Sequence, residues 1–217
     1  MNHITIEKTE DGSDTLYVPS MNEHYHSTKG ALTETQHIFI NMGLLASSKK
    51  DINVFEVGFG TGLNAIQTLE AALNNELTIH YHSVELFPLS WSDVSHLSYA
   101  QLPFFKELHE AKWNNEVEIN SSFYLTKYQL DFTELPQTEI NIHFDVIYFD
   151  AFAPEKQPQM WSQQLFDYLY VLLNKGGVLT TYCAKGVVRR MLQTAGFQVE
   201  RLPGPPGGKR EILRATK

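Results

Sequence analysis

Glu56-Val57-Gly58-Phe59-Gly60-Thr61-Gly62-Leu63-Asn64 is the stretch on which the fold of this chain turns. It joins a short apolar run, Ile52 to Val57, to a segment with apolar residues at Leu63, Ile66, Leu69 and Leu73, the spacing of a helix that buries one face. Glycine tolerates positive φ and lets a ligand approach the backbone closely. Three glycines in alternation between strand and helix therefore make a turn shaped for a cofactor, with an ordinary tight turn as the plain alternative. The dinucleotide fingerprint G-x-G-x-x-G needs its third glycine at position 63, where Leu63 stands. A pyrophosphate cradle is not what this loop encodes.

Outward from the loop, strands and helices alternate. Upstream, Ile4 to Glu7 and Leu16 to Val18 flank Glu10-Asp11-Gly12-Ser13, which reads as a hairpin. Ala31 to Leu45 carries apolar residues at 31, 32, 38, 39, 42 and 45, a helical spacing that Lys49-Lys50-Asp51 breaks. Downstream come a strand from Leu77 to Glu85, a polar helical region around 90 to 112, a strand within Phe123 to Leu130 and a strand from Phe144 to Phe149. A helix at 161 to 173, Gly176-Gly177, a strand from Val178 to Tyr182 and a helix from Val187 to Thr194 follow. The last two strands, Phe197 to Leu202 and Glu211 to Ala215, have no helix between them and are expected to close the sheet as an antiparallel hairpin. This alternation predicts an α/β fold with a mostly parallel sheet covered on both faces. Residues 1–48 read as an extension packed on a core formed by 49–217. Pro203-Gly204-Pro205-Pro206-Gly207-Gly208, between the last strands, is a shaped loop or a mobile lip.

The chain has 217 residues, of which 42% are apolar, and no window nears eighteen consecutive apolar residues. Met1-Asn2-His3-Ile4-Thr5 lacks the basic and apolar regions of a signal peptide, so a soluble cytoplasmic protein is expected. Cys183, the single cysteine, excludes an internal disulfide framework and CxxC motifs. The net charge of −8 hides a polarity: from residue 175 onward nine basic residues face two acidic ones, while residues 1–174 carry −15. All five arginines belong to the basic end: Arg189, Arg190, Arg201, Arg210 and Arg214. A local patch of this kind can bind phosphates in an acidic molecule.

The pattern acid-x-G-x-G-x-G is similar to that of S-adenosylmethionine (SAM) methyltransferases, whose cofactor carries an aminoacyl tail and a sulfonium rather than a pyrophosphate. Three acids fall where such a cofactor needs them. Glu56 is placed to order the loop or engage the methionine ammonium through water, Glu85 to accept from the ribose hydroxyls, and Asp131 to accept from the adenine amino group with Phe132 beside the ring. Each acid has a plainer reading as a solvated loop residue. Asp150 ends the run Val146-Ile147-Tyr148-Phe149-Asp150, at the sheet edge where ligands of open parallel sheets bind. A carboxylate there suits an amine acceptor, because it can receive an N–H hydrogen bond and take up the proton as positive charge develops. The bland reading of Asp150 is a helix cap or turn aspartate.

Asp-Ala-Phe-Ala-Pro-Glu-Lys-Gln-Pro-Gln-Met-Trp (150 to 161), the Glu56-to-Asn64 loop, Gly30-Ala-Leu-Thr-Glu-Thr (30 to 35), Val188-Arg-Arg (188 to 190) and Gly208-Lys-Arg-Glu (208 to 211) together resemble the methyltransferase domain of the tRNA 5-methylaminomethyl-2-thiouridine biosynthesis (MnmC) family. The resemblance runs over roughly residues 20–217. It implies a class I, Rossmann-like SAM-dependent methyltransferase with a seven-stranded sheet, a C-terminal antiparallel hairpin and a small N-terminal hairpin and helix extension. The activity implied is N-methylation of 5-aminomethyl-2-thiouridine at the tRNA wobble position, giving 5-methylaminomethyl-2-thiouridine. Bifunctional relatives carry an FAD oxidase domain as well; ending at Lys217, this chain is expected to leave that step to separate oxidase or modification enzymes. By motif, Asp150 corresponds to the catalytic carboxylate, and Glu56, Gly58, Gly60, Gly62, Asn64, Glu85 and Asp131 fall in cofactor-binding segments. Tyr25, Ser27 and Glu34 match a stretch that lines the same cleft. The loop Pro203 to Gly208 is richer in proline than the family pattern.

Arg189 and Arg190 begin the helix after the fifth strand, and Lys209 and Arg210 end the loop after the sixth, so these residues are expected at the rim that carries Asp150, where a tRNA anticodon stem-loop lays its phosphates. A solvated helix face and a salt-bridged hairpin would leave them idle instead. Phe152, and less so Phe59 and Trp161, are candidate platforms for an everted base. His80 with His82, and His24 with His26, have no third ligand at metal spacing. Two other readings stay open: aminopropyl or methyl transfer to a small amine on the same fold, and a tRNA-binding protein without activity.

Overall fold

The computed structural model describes residues 4–137 and 141–217. Strands β1 (Thr5–Lys8), β2 (Asp14–Val18) and β3 (Glu23–His24) form a small antiparallel sheet. The chain then enters helix α1 (Ala31–Thr35), a π-helical turn (Gln36–Asn41) and a 3₁₀ turn (Leu44–Ala46). The single helix expected over 31–45 is thus three short pieces. Ile38, Phe39 and Ile40 are buried consecutively, which a helix packed along one stripe does not do, and Met42 N donates to the His37 carbonyl at 3.1 Å, the five-residue backbone bond of a π turn.

The main elements are β4 (Asp51–Val57), α2 (Leu63–Asn75), β5 (Thr78–Glu85), α3 (Trp91–Val94), α4 (Phe105–Glu110), β6 (Glu116–Asn120), β7 (Phe123–Gln129), β8 (Phe144–Phe149), α5 (Gln163–Leu172), β9 (Leu173–Thr181), α6 (Gly186–Ala195), β10 (Gln198–Pro203) and β11 (Glu211–Thr216). They build a sheet in the order β10-β11-β9-β8-β4-β5-β7-β6. The five central strands, β9 to β7, run parallel; antiparallel pairs close both ends. The expected hairpin β10/β11 is present. The sheet has eight strands rather than seven, because β6 adds to β7 at the edge. Its sequence, Glu-Val-Glu-Ile-Asn, leaves no residue fully buried, so it carries no apolar run to read.

Period-two alternation sorts β4 onto two cores. Ile52 and Val54 face the layer beneath α2, while Phe55 and Val57 face the layer of α5 and α6. Glu56 shares the parity of Ile52 and Val54 and so points beneath α2. At the other end of the strands, buried Asp145 accepts from Asn53 N at 3.0 Å, Lys49 Nζ at 2.6 Å and Asn174 Nδ2 at 2.7 Å, tying β4, β8 and β9 together. No helix among the described residues is long and apolar enough to cross a membrane.

Asp145→Ala leaves a buried backbone N–H and an amide without their acceptor, so it is expected to lower unfolding free energy by about 2–3 kcal/mol in urea titrations. Ligand affinity at the opposite sheet edge should hold.

Candidate active site

The carboxyl edge of the parallel strands gathers the glycine turn after β4, Glu85 at the end of β5, Asp131 beyond β7 and Asp150 beyond β8. Asp150 is half-buried, and its Oδ2 accepts a 2.8 Å hydrogen bond from Asn64 Nδ2. Thr35 Oγ1 donates to Asn64 Oδ1 at 2.9 Å, which fixes the amide so that its N–H faces the carboxyl group. Burial, then the negative charge of Glu34, pushes the Asp150 carboxyl up to about 8, with Asn64 and Lys209 pulling the other way. Asn64, placed by the motif in a cofactor-binding segment, is 2% exposed and has its amide engaged by Thr35 and Asp150.

The turn is gripped from two sides. Gly58, Gly60 and Gly62 have φ of +90, +51 and +76°. A Cβ on Gly60 would lie 3.1 Å from the Tyr25 ring, and one on Gly62 would lie 2.8 Å from His109 Nε2. His109 Nε2 donates to the Thr61 carbonyl at 3.0 Å, and His26 Nε2 meets Thr61 Oγ1 at 2.8 Å. Burial lowers both imidazoles to about 4, so both are neutral at pH 7. In the sequence His26 drew notice only as half of a metal-spacing pair and His109 not at all, since nothing local says which loop they reach.

Glu85 Oε2 accepts from Gly60 N at 3.1 Å and Oε1 from Phe87 N at 2.8 Å, which fixes the carboxylate against the turn. Asp131 Oδ1 accepts from Thr133 N and Oγ1, capping a 3₁₀ turn. Glu56 is fully buried beneath α2, with Ser83 Oγ donating to its Oε2 at 2.8 Å. Burial raises its pKa well above the usual carboxylate range, which favours the protonated acid under the turn. Phe132, 3% exposed, packs on Phe149 in the core, not beside an adenine.

Around the mouth, Tyr25 meets Phe152 edge-on at 5.1 Å. Phe59 and Trp161 are buried, Phe59 against His109 and Trp113, Trp161 against Phe149 with its Nε1 donating to the Phe152 carbonyl; neither is a platform. Arg190 and Arg210 are exposed and Arg189 is half-buried. Lys209 does not join them at the rim: its Nζ turns inward to pair with Glu34, which also accepts from Ser27 N at 3.0 Å. Arg201 and Arg214 lie along the hairpin, paired with Glu211 and Glu200 at 3.3 Å each.

A family model described as S-adenosyl-L-methionine-dependent methyltransferase matches residues 100–217. This chain belongs to that family. Among curated relatives of this methyltransferase, the tRNA 5-methylaminomethyl-2-thiouridine biosynthesis bifunctional protein MnmC of Pseudomonas fluorescens is 34% identical over 234 residues, covering 99% of the chain and 35% of that protein. Its namesake in Methylobacillus flagellatus is 32% identical over 216 residues, covering 91% and 33%. The chain spans about a third of the length of these relatives. The crystal structure of MnmC2 from Aquifex aeolicus superposes with TM-score 0.84 at 25% identity, covering 100% of this methyltransferase chain and 70% of that one. Spermidine synthase from Thermotoga maritima shares the fold, with TM-score 0.62 at 13% identity, over 100% of this chain and 73% of that one.

Asn64→Ala removes a hydrogen bond that favours the ionised Asp150. Its carboxyl titration, followed by carbon NMR, should move upward from about 8 in the variant.

Proposed function

We propose that this methyltransferase acts on tRNA, methylating the exocyclic amine of 5-aminomethyl-2-thiouridine at the wobble position to give 5-methylaminomethyl-2-thiouridine. The observation that carries this reading is Asp150: a carboxyl group at the strand end beside the glycine turn, oriented by Asn64 and raised to about 8. The names of the curated relatives supply the substrate.

The site fits SAM in its shape and its donors. The turn is bare of side chains at three positions, and each carboxylate nearby keeps lone pairs beyond those its backbone contacts use. Glu85 would take the ribose hydroxyls, Asp131 the adenine amino group, and the turn with the amino end of α2 the aminoacyl tail. SAM supplies a methyl group made electrophilic by its sulfonium. Asp150 as carboxylate accepts an N–H of the acceptor amine and aims its lone pair. With SAM held there, methyl transfer to the nitrogen would leave a surplus proton on it, which Asp150 would take up. Phe152 stacks on the everted base, with Tyr25 holding it from the side. Arg189, Arg190 and Arg210 meet phosphates, and other enzymes supply the aminomethyl precursor.

Incubation with labelled SAM and tRNA that lacks the last methylation should yield 5-methylaminomethyl-2-thiouridine by nucleoside mass spectrometry; SAM binding without this product would sink the reading. Asp150→Asn should keep SAM affinity and lose about 10²- to 10⁴-fold in kcat. Because the base must be ionised, kcat/KM for SAM should rise about tenfold per pH unit and level off above about 8. Charge reversal at Arg189 and Arg190 should weaken tRNA binding in filter assays and reduce its log-log salt slope by roughly one per lost contact.

A further inference from the structure

Lys209 is a cation in an unusual place. Its Nζ pairs with Glu34, whose side chain is 11% exposed, and lies 4.6 Å from the centre of the Tyr182 ring. Tyr182 donates its hydroxyl to the Ala151 carbonyl at 2.8 Å, next to the reacting carboxylate, which locks the ring in position. The charges of Glu34 and Lys209 both bear on Asp150. One ammonium therefore sits between an acid and an aromatic face, within electrostatic reach of the catalytic carboxyl group; acid and ring together make a cation cage. A primary aminomethyl group, protonated in water, offers the same charge and the same three N–H donors on a methylene stem.

We infer that the Lys209 ammonium occupies the seat of the acceptor amine, and that the substrate enters by displacing it from Glu34 and Tyr182. This rests on the amine-methylation reading above. The backbone of Lys209 is pinned, since a Cβ on Gly204 would lie 1.7 Å from its carbonyl oxygen and Gly204 N donates to the Arg210 carbonyl at 3.0 Å. The exchange is thus a swing of the four-carbon stem and not a loop opening. It replaces one ammonium by another, so Glu34 stays paired on entry; before methyl transfer the bound ammonium must give one proton to solvent, because only the free amine has a lone pair. Once displaced, the Lys209 side chain reaches the rim beside Arg210.

The test is calorimetric binding to the full chain in the presence of S-adenosylhomocysteine, with 5-aminomethyluridine, the amine-free 5-methyluridine and propylamine as probes. Removing the competing occupant in Lys209→Met should tighten 5-aminomethyluridine and propylamine about three- to tenfold and leave 5-methyluridine unchanged. Lys209→Arg, whose fork grips Glu34 more firmly, should weaken both amines. Glu34→Gln should abolish the preference for amine over methyl. In turnover above pH 9, where the Asp150 carboxyl is ionised with or without a neighbouring cation, Lys209→Met should lower KM for the amine. Equal loss of all probes in Lys209→Met, or an arginine variant that binds amines like the parent, overturns the inference. If the amines respond as stated while aminomethyl tRNA is not methylated, the seat stands and the tRNA reading falls.

Discussion

Glu56 and Asp150 lie on the same face of the sheet, under the amino end of α2, and the low dielectric there does not let both carboxyl groups ionise. The fold resolves the conflict by inequality. Glu56 is enclosed completely and stays protonated, held by Ser83, whereas Asp150 has an edge position, an amide donor and the positive end of a helix near it. At pH 7 a group that titrates near 8 is ionised to roughly a tenth, so Asp150 is poised to exchange protons while Glu56 is not. Ionising Glu56 would add a second buried anion and push Asp150 out of the useful range. A neutral acid in the interior thus keeps the Asp150 carboxyl group within reach of ionisation.

A second device keeps the turn in register with this pair. Lys127, 1% exposed on β7, donates to the carbonyls of Leu108 and His109 at the end of α4, at 2.7 and 2.8 Å, and lies over the rings of Phe59 and Trp113. A cation suits the negative end of a helix, and its contacts hold His109 against Thr61. The glycine turn therefore has a flexible sequence and little freedom to move. Its shape is set by α4 and by Tyr25 from the amino-terminal segment, two elements far apart in the chain. That dependence explains why the small β1–β3 sheet is packed against the core at all.

What was legible in the sequence was whatever has a local cause. The glycine turn follows from φ, the central strands from apolar runs, and the place of Asp150 from the rule that parallel strands present their carboxyl ends to ligands. The parity of Glu56 was also legible, two residues after Val54, yet the motif drew attention to its acidity and away from its direction. Edge strand β6 escaped because a strand exposed on one side and at one edge needs no apolar run. Asn64, Glu34 and Lys209 were legible as site residues, but their mutual contacts, and the parts of Thr35 and Tyr182 in them, were not, because the side chains converge from α1, α2 and the loops after β9 and β10 only in the packed chain.

Lys209 shows how far charge counting along a chain can mislead. The basic carboxyl-terminal segment suggested an arginine-rich mouth, but Arg201 and Arg214 neutralise acids across their own hairpin, Lys185 pairs with Glu155, and Lys217 donates to the carbonyls of Val171 and Leu173. The guanidinium groups of Arg190 and Arg210 stay exposed, and that of Arg189 is half-buried. On the tRNA reading proposed above, so few phosphate contacts give only a shallow dependence on salt and modest nonspecific affinity. On that same reading, discrimination among acceptors falls to the interior, where an acid and an aromatic face already hold one ammonium beside a titrating carboxyl group.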